Sequence, residues 1–125
     1  MQITVNSIQK GADEFASEIG AYKKMAAKFA AVREQTFFNA SIARAQAASS
    51  ELALKAYDEI YLPRLSGYVV ALDEHGQELD SIEFADMLKD KSAVSFFIGG
   101  AYGLSENFKA KADKIISLSR LTLAH

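Results

Sequence analysis

The chain has 125 residues, half of them apolar, with no cysteine and a net charge of −2. A chain of this size buries roughly two thirds of its unfolded surface, so one compact domain can form without metal or crosslinks. The missing cysteines exclude a disulfide framework and a thiolate site, and the slight acidity argues against a general nucleic-acid coat.

No apolar run approaches the roughly 20 residues that span a bilayer. The opening "MQITVNSIQKG" lacks the basic-then-apolar layout of a secretory signal, so a soluble cytoplasmic protein is expected. Charge is unevenly placed: residues 73–90 hold seven acids against Lys89 alone, whereas Lys91, Lys109, Lys111, Lys114 and Arg120 face only Glu106 and Asp113. Such asymmetry is compatible with a polyanionic partner at the basic end, or with solvated faces.

In chain order, residues 2–8 alternate polar with apolar and carry β-branched side chains, which predicts a strand ended by Lys10-Gly11. Phe15, Ile19, Tyr22, Ala26 and Phe29 recur at helical spacing and predict a helix over residues 12–31. "VREQTFFNA" follows as a second strand with a polar centre. Ile42, Ala45, Leu52, Ala56 and Ile60 outline one long helix stopped by Pro63.

"GYVVALD", residues 67–73, is a continuous apolar run of the kind buried on both faces of a parallel sheet. Asp80 and Glu83 are spaced as an N-cap and its N3 partner, with Phe84, Ala85 and Leu88 supplying an apolar side. "AVSFFIG" repeats the buried-strand pattern, and Ser105 can cap a helix carrying Phe108, Ala112 and Ile115. "IISLS", residues 115–119, reads as a last short strand. Strands alternating with helices predict an α/β fold, a mostly parallel sheet with helices on both faces. There is no internal repeat and no linker.

In open α/β sheets, ligands bind beyond the carboxyl ends of strands. "VVALD" ends at Leu72-Asp73 and "SFFIGG" at Gly99-Gly100, so adjacent strands would share one crevice at these ends. Gly99, Gly100 and Gly103 would let backbone close on a flat ligand; a tight strand-to-helix turn without a ligand explains them equally well. The order G-G-A-Y-G is neither a P-loop nor a dinucleotide fingerprint, so a triphosphate is not expected. His75 and His125 lack zinc-ligand spacing, and His75 lies in an acidic turn where solvation is the simpler reading. Asp73-Glu74 offers paired carboxylates, but neighbours on an extended strand point to opposite faces. The Lys23, Lys24, Lys28 cluster reads as a wet helix face, and no nucleophile elbow is present.

Three ordered pieces carry a resemblance: "LDEHG" followed by "EFADML", then "FIGGAYGLS", then "SLSRLTLAH". Together they resemble the RlmH (formerly YbeA) family of SPOUT-class methyltransferases of large-subunit ribosomal RNA. The resemblance implies a single domain over residues 1–125 with a trefoil-knotted α/β fold. It implies S-adenosylmethionine as cofactor, held by Leu72, Gly99 and the run Leu118, Ser119, Arg120, Leu121, Thr122 and Leu123, without metal or membrane. It implies methyl transfer to N3 of a pseudouridine in 23S rRNA of the assembled ribosome, by a homodimer. A non-catalytic ribosome-binding or assembly module that keeps the fold is the alternative, and a flavodoxin-like domain for another small ligand is a third reading. Two departures stand out. Ala101 occupies a position where the family usually has proline, and the family continues past the point corresponding to His125. The knot-closing helix, the catalytic residues and much of the RNA contact are expected in that C-terminal segment, so no catalytic residue is assigned.

Overall fold

In a computed structural model the structure describes residues 1–9, 24, 27–28 and 30–117. Strand β1 is Gln2–Ile8 and β2 is Val32–Phe37; two helices follow, α1 (Ala40–Ala48) and α2 (Ser50–Tyr61). A 3-10 turn at Leu62–Arg64 leads to β3 (Tyr68–Glu78), then α3 (Ser81–Leu88), β4 (Ala93–Ile98), α4 (Glu106–Lys111) and β5 (Lys114–Ser117). The five strands form one sheet in the order β2-β1-β4-β3-β5, with every neighbouring pair parallel. The α/β expectation holds. The helix expected over residues 12–31 lies almost wholly outside the described residues.

Alternation along the strands divides the core in two. Ile3, Val5, Val70, Leu72, Phe96 and Ile98 face α3, where Phe84 and Leu88 are fully buried. Ile8, Val69, Ala71 and Phe97 face the other way, against Ile42 of α1, Tyr57 and Tyr61 of α2, and Phe108 of α4. β3 and β4 therefore bury both of their faces, which is why they read as unbroken apolar runs.

The caps follow their sequence signals. Asp80 accepts from the Glu83 N–H at 2.8 Å, and Glu83 accepts from the Asp80 N–H at 3.0 Å, a closed capping box for α3. Ser105 accepts from the Phe108 N–H at 2.9 Å and opens α4. That helix stops at Lys111, short of Ile115, which pairs with Ala71 in β5, where the last short strand was expected to begin.

The expected single long helix is two helices. Ser49 is extended (φ −168°, ψ 161°), its N–H donates to the Ala45 carbonyl and its Oγ accepts from the Leu52 N–H. One residue thus ends α1 and caps α2, because a serine hydroxyl satisfies orphan amides better at a cap than inside a helix. Pro63 does terminate the pair, within the 3-10 turn. β3 also runs five residues beyond the expected Asp73 end, to Glu78. Among the described residues, no helix is long and apolar enough to cross a membrane.

Candidate functional site

The sheet order seats β3 beside β4 with Leu72 paired to Ile98. Leu72, where β3 leaves its regular ladder, is therefore level with the carboxyl end of β4, and a crevice of about 520 Å³ opens there. Leu72 and Ile98 lie at its apolar base, the turn from Gly99 to Leu104 forms one wall, and Asp73, Glu74, His75 and Lys109 form the other. Leu72 and Gly99, two of the expected cofactor residues, are brought together here. The run Leu118, Ser119, Arg120, Leu121, Thr122 and Leu123 lies outside the described residues.

The glycine wall is shaped by the protein's own atoms. Gly103 N–H donates to the Gly100 carbonyl at 3.0 Å and closes a turn with Ala101 and Tyr102 at its tip. Gly103 has φ +77°, and a side chain there would project into open space, so the constraint is conformational. At Gly99 it is steric, since a Cβ would fall on the Gly103 backbone. Ala101 takes the turn position where proline is often favoured, and its backbone completes the turn without one.

Helix α2 fixes this wall from behind. Tyr61, wholly buried, donates its hydroxyl to the Ile98 carbonyl at 2.6 Å and packs edge-on to Phe97 at 4.9 Å. Burial holds its phenol well above the ordinary range, with the neighbouring Tyr57 pushing in the same direction, so the hydroxyl stays a donor. Asp58 accepts the Ser105 hydroxyl at 2.8 Å through both oxygens, tying the exit of the turn to the same helix. Tyr57 and Tyr61 stand four residues apart on α2, a spacing visible in the sequence but not weighed there as part of a site.

The opposite wall departs from regular strand. Leu72 and Gln77 of β3 both pair with Ile116 of β5, so residues 73–76 form an excursion from the ladder. Asp73 and Glu74 do not act as a pair there: the Asp73 side chain is 17% exposed and turned to Lys109, whereas that of Glu74 is 84% exposed. Asp73 Oδ2 accepts from Lys109 Nζ at 3.0 Å and its Oδ1 from the His75 N–H at 3.2 Å. Desolvation pushes the Asp73 carboxyl up, but the Lys109 and His75 hydrogen bonds and charges outweigh it, and its pKa ends below the ordinary value. Lys109 is held above its ordinary value chiefly by the bond to Asp73, with Glu106 adding a second contact at 3.1 Å.

Lys109, one of the residues of the basic end, is thus engaged by two carboxylates at the crevice mouth. His75 and Glu74 are 84% exposed, in keeping with a solvated turn. Among the described residues no group of three His, Cys, Asp or Glu side chains is placed to hold a metal ion. The crevice combines an apolar base, backbone hydrogen-bonding edges and one carboxylate kept ionised. That set suits a small ligand held in part by backbone groups; among the described lining residues the one lysine, Lys109, is already engaged by Asp73 and Glu106.

The whole chain, residues 1–125, matches the family described as "Predicted SPOUT methyltransferase". Among curated proteins it is 57% identical to "Ribosomal RNA large subunit methyltransferase H" of Campylobacter hominis, over 99% of this chain and 82% of that one. The protein of the same name from Campylobacter concisus is 56% identical over 100% of this chain and 83% of its own length. The Aliarcobacter butzleri protein of that name is 42% identical over 100% and 83%.

Proposed function

Because this chain belongs to the SPOUT methyltransferase family, with the ribosomal RNA large subunit methyltransferase H proteins as its relatives, we propose that it methylates large-subunit ribosomal RNA using S-adenosylmethionine bound in the β3–β4 crevice. The observation that carries this reading is the register of β3 on β4. Leu72 against Ile98 sets the "LD" and "IGG" motifs at the rim of one cavity of about 520 Å³, within the range of small-molecule sites.

The residues present fit such a cofactor. Leu72 and Ile98 offer an apolar floor for an adenine ring, and the turn from Gly99 to Gly103 presents backbone rather than side chains at its edge. Leu118, Ser119, Arg120, Leu121, Thr122 and Leu123 are proposed to close the site from the third motif, as the family resemblance implies. When bound, S-adenosylmethionine supplies an electrophilic methyl group on a sulfonium. The chain's own contribution is to position and to shield. The two buried tyrosines of α2 keep the glycine turn fixed, and the bond from Lys109 keeps the Asp73 carboxyl ionised at the mouth.

The finer substrate, N3 of a pseudouridine in 23S rRNA of the assembled ribosome, follows from the same resemblance, as do the homodimer and the cytoplasmic setting. A neutral imide nitrogen is a poor nucleophile, so its proton must be taken up during transfer. With a net charge of −2, the protein has little general affinity for naked RNA, and recognition of a shaped, preassembled target fits better.

Titration calorimetry of the full chain with S-adenosylhomocysteine tests the cofactor, and methyl incorporation into ribosomes from a strain lacking the native activity tests the reaction. Saturable heat and one methyl group per large subunit are expected. A chain that gives no heat overturns the crevice assignment; heat without methylation leaves a binding module and overturns the enzymatic part.

A further inference from the structure

One side chain outside all three motifs stands directly behind the glycine turn. A Cβ at Gly100 would lie 2.5 Å from Tyr57 Cζ and 2.6 Å from its hydroxyl oxygen, so the phenol is seated against the Gly100 backbone. Tyr57 is wholly buried and does not line the crevice. Its influence on a ligand must pass through the turn.

The hydroxyl works in two directions. It donates to Gln46 Oε1 on α1, while the same oxygen lies against the turn at Gly100. Burial raises the phenol's pKa, and the nearby backbone of Tyr102 and Ala101 offsets part of the rise. Tyr102 adds a longer contact from its own hydroxyl to the Gln46 carbonyl at 3.4 Å. The tip of the turn, which carries no regular secondary structure, is thereby hung on the α1–α2 pair. A phenol can both donate and accept, whereas phenylalanine would keep the ring but lose the bond to Gln46 and the oxygen seated against the turn.

We propose that Tyr57 is a positioning residue for methyl-donor binding, its ring and hydroxyl holding the turn from Gly99 to Gly103 in the shape that receives the adenosyl portion. The inference rests on the donor-site reading given above and adds to it a residue that acts through the turn. A tyrosine serving core stability alone predicts something different on substitution to phenylalanine: a lower melting temperature and a smaller active fraction, with the donor's affinity unchanged.

The test is Tyr57→Phe in the full chain, with Gly100→Ala as a second variant that disturbs the same contact from the turn side. Calorimetry is expected to show the dissociation constant for S-adenosylhomocysteine rising about three- to tenfold in Tyr57→Phe, the equivalent of one hydrogen bond. The donor KM should rise by the same factor while kcat stays within about twofold, the signature of lost binding that is uniform between ground and transition states. In ligand-free protein, the NMR amide resonances of Ala101 and Tyr102 should move in Tyr57→Phe, and Gly100→Ala should weaken donor binding at least as much. A normal wild-type constant that Tyr57→Phe leaves unchanged, or unmoved amide resonances, overturns this proposal alone. A wild-type chain that binds no donor analogue overturns the site reading beneath it.

Discussion

The turn after β4 and the excursion of β3 at residues 73–76 line the same crevice but are held by different forces. Behind the turn lie fully buried rings, with Tyr57 against Gly100 and Tyr61 hydrogen-bonded to the Ile98 carbonyl. The excursion carries exposed Glu74 and His75; Gly76 lies close on the Ile116 backbone, and the excursion's side-chain tie is the Asp73–Lys109 pair, each side chain about one fifth exposed. A wall packed on aromatic rings has one arrangement, because close-packed interiors do not deform gradually. A wall tied by one ion pair near solvent can yield at small cost, since such pairs are screened and contribute little. The comparison teaches a division of labour, in which the rigid wall fixes the shape of the site and the ionic wall tunes its charge and access.

The largest expected effect breaks the rigid wall. Tyr61→Ala removes a fully buried ring packed on Phe97 and Phe108, and should cost about 3–5 kcal/mol in urea unfolding. Tyr61→Phe keeps the ring but strips the Ile98 carbonyl of its partner, for about 1–2 kcal/mol. If both changes proved as mild as substitutions on the excursion, the contrast between the walls would be lost.

A smaller effect is expected on the ionic wall, and it depends on pH. The folded Asp73 carboxyl lies below its ordinary 3.8, so it contributes stability above that value that is lost as pH falls through the depressed native value. Lys109 lies above its ordinary 10.5, so its share is present below that value and lost as pH rises through the raised one. Asp73→Asn should therefore cost about 1 kcal/mol at neutral pH, with the gap from wild type closing in acid. A gap that persisted unchanged well below the carboxylate range would assign the loss to something other than charge.

The smallest effect sharpens the comparison from the solvent side. His75→Ala removes a side chain that is 84% exposed and keeps the backbone N–H that Asp73 accepts, so stability should stay within about 0.5 kcal/mol. Donor affinity should also be unchanged; a several-fold loss would move His75 from the solvated turn into the site.

Much of this architecture was legible in the residues. Period-two alternation marked β1 at Gln2–Ile8, apolar runs marked the interiors of β3 and β4, and the Asp80–Glu83 spacing marked a capping box that the structure closes. The errors share a cause. Ser49 sits within a helical apolar pattern, and only its extended backbone, which lets it cap α2, splits that pattern into two helices. Ile115 fits both the apolar face of α4 and the start of a last strand, and pairing with Ala71 decides for β5. Residues 74–76 read as an acidic turn beyond a strand ending at Asp73, because nothing local announces that Leu72 and Gln77 will both pair with Ile116 of β5.

In the site, the sequence by itself determined the motifs: which residues end the buried strands, where the glycines fall, and which serine and aspartate start the following helices. These are matters of neighbours within a turn or two, and local bonding settles them. Tertiary structure alone decided what stands behind each motif. Tyr61 meets the Ile98 carbonyl across 37 residues and Lys109 meets Asp73 across 36. Such contacts depend on the strand order β2-β1-β4-β3-β5 and on α2 packing beneath the carboxyl ends of β3 and β4, and burial of a shared core sets both.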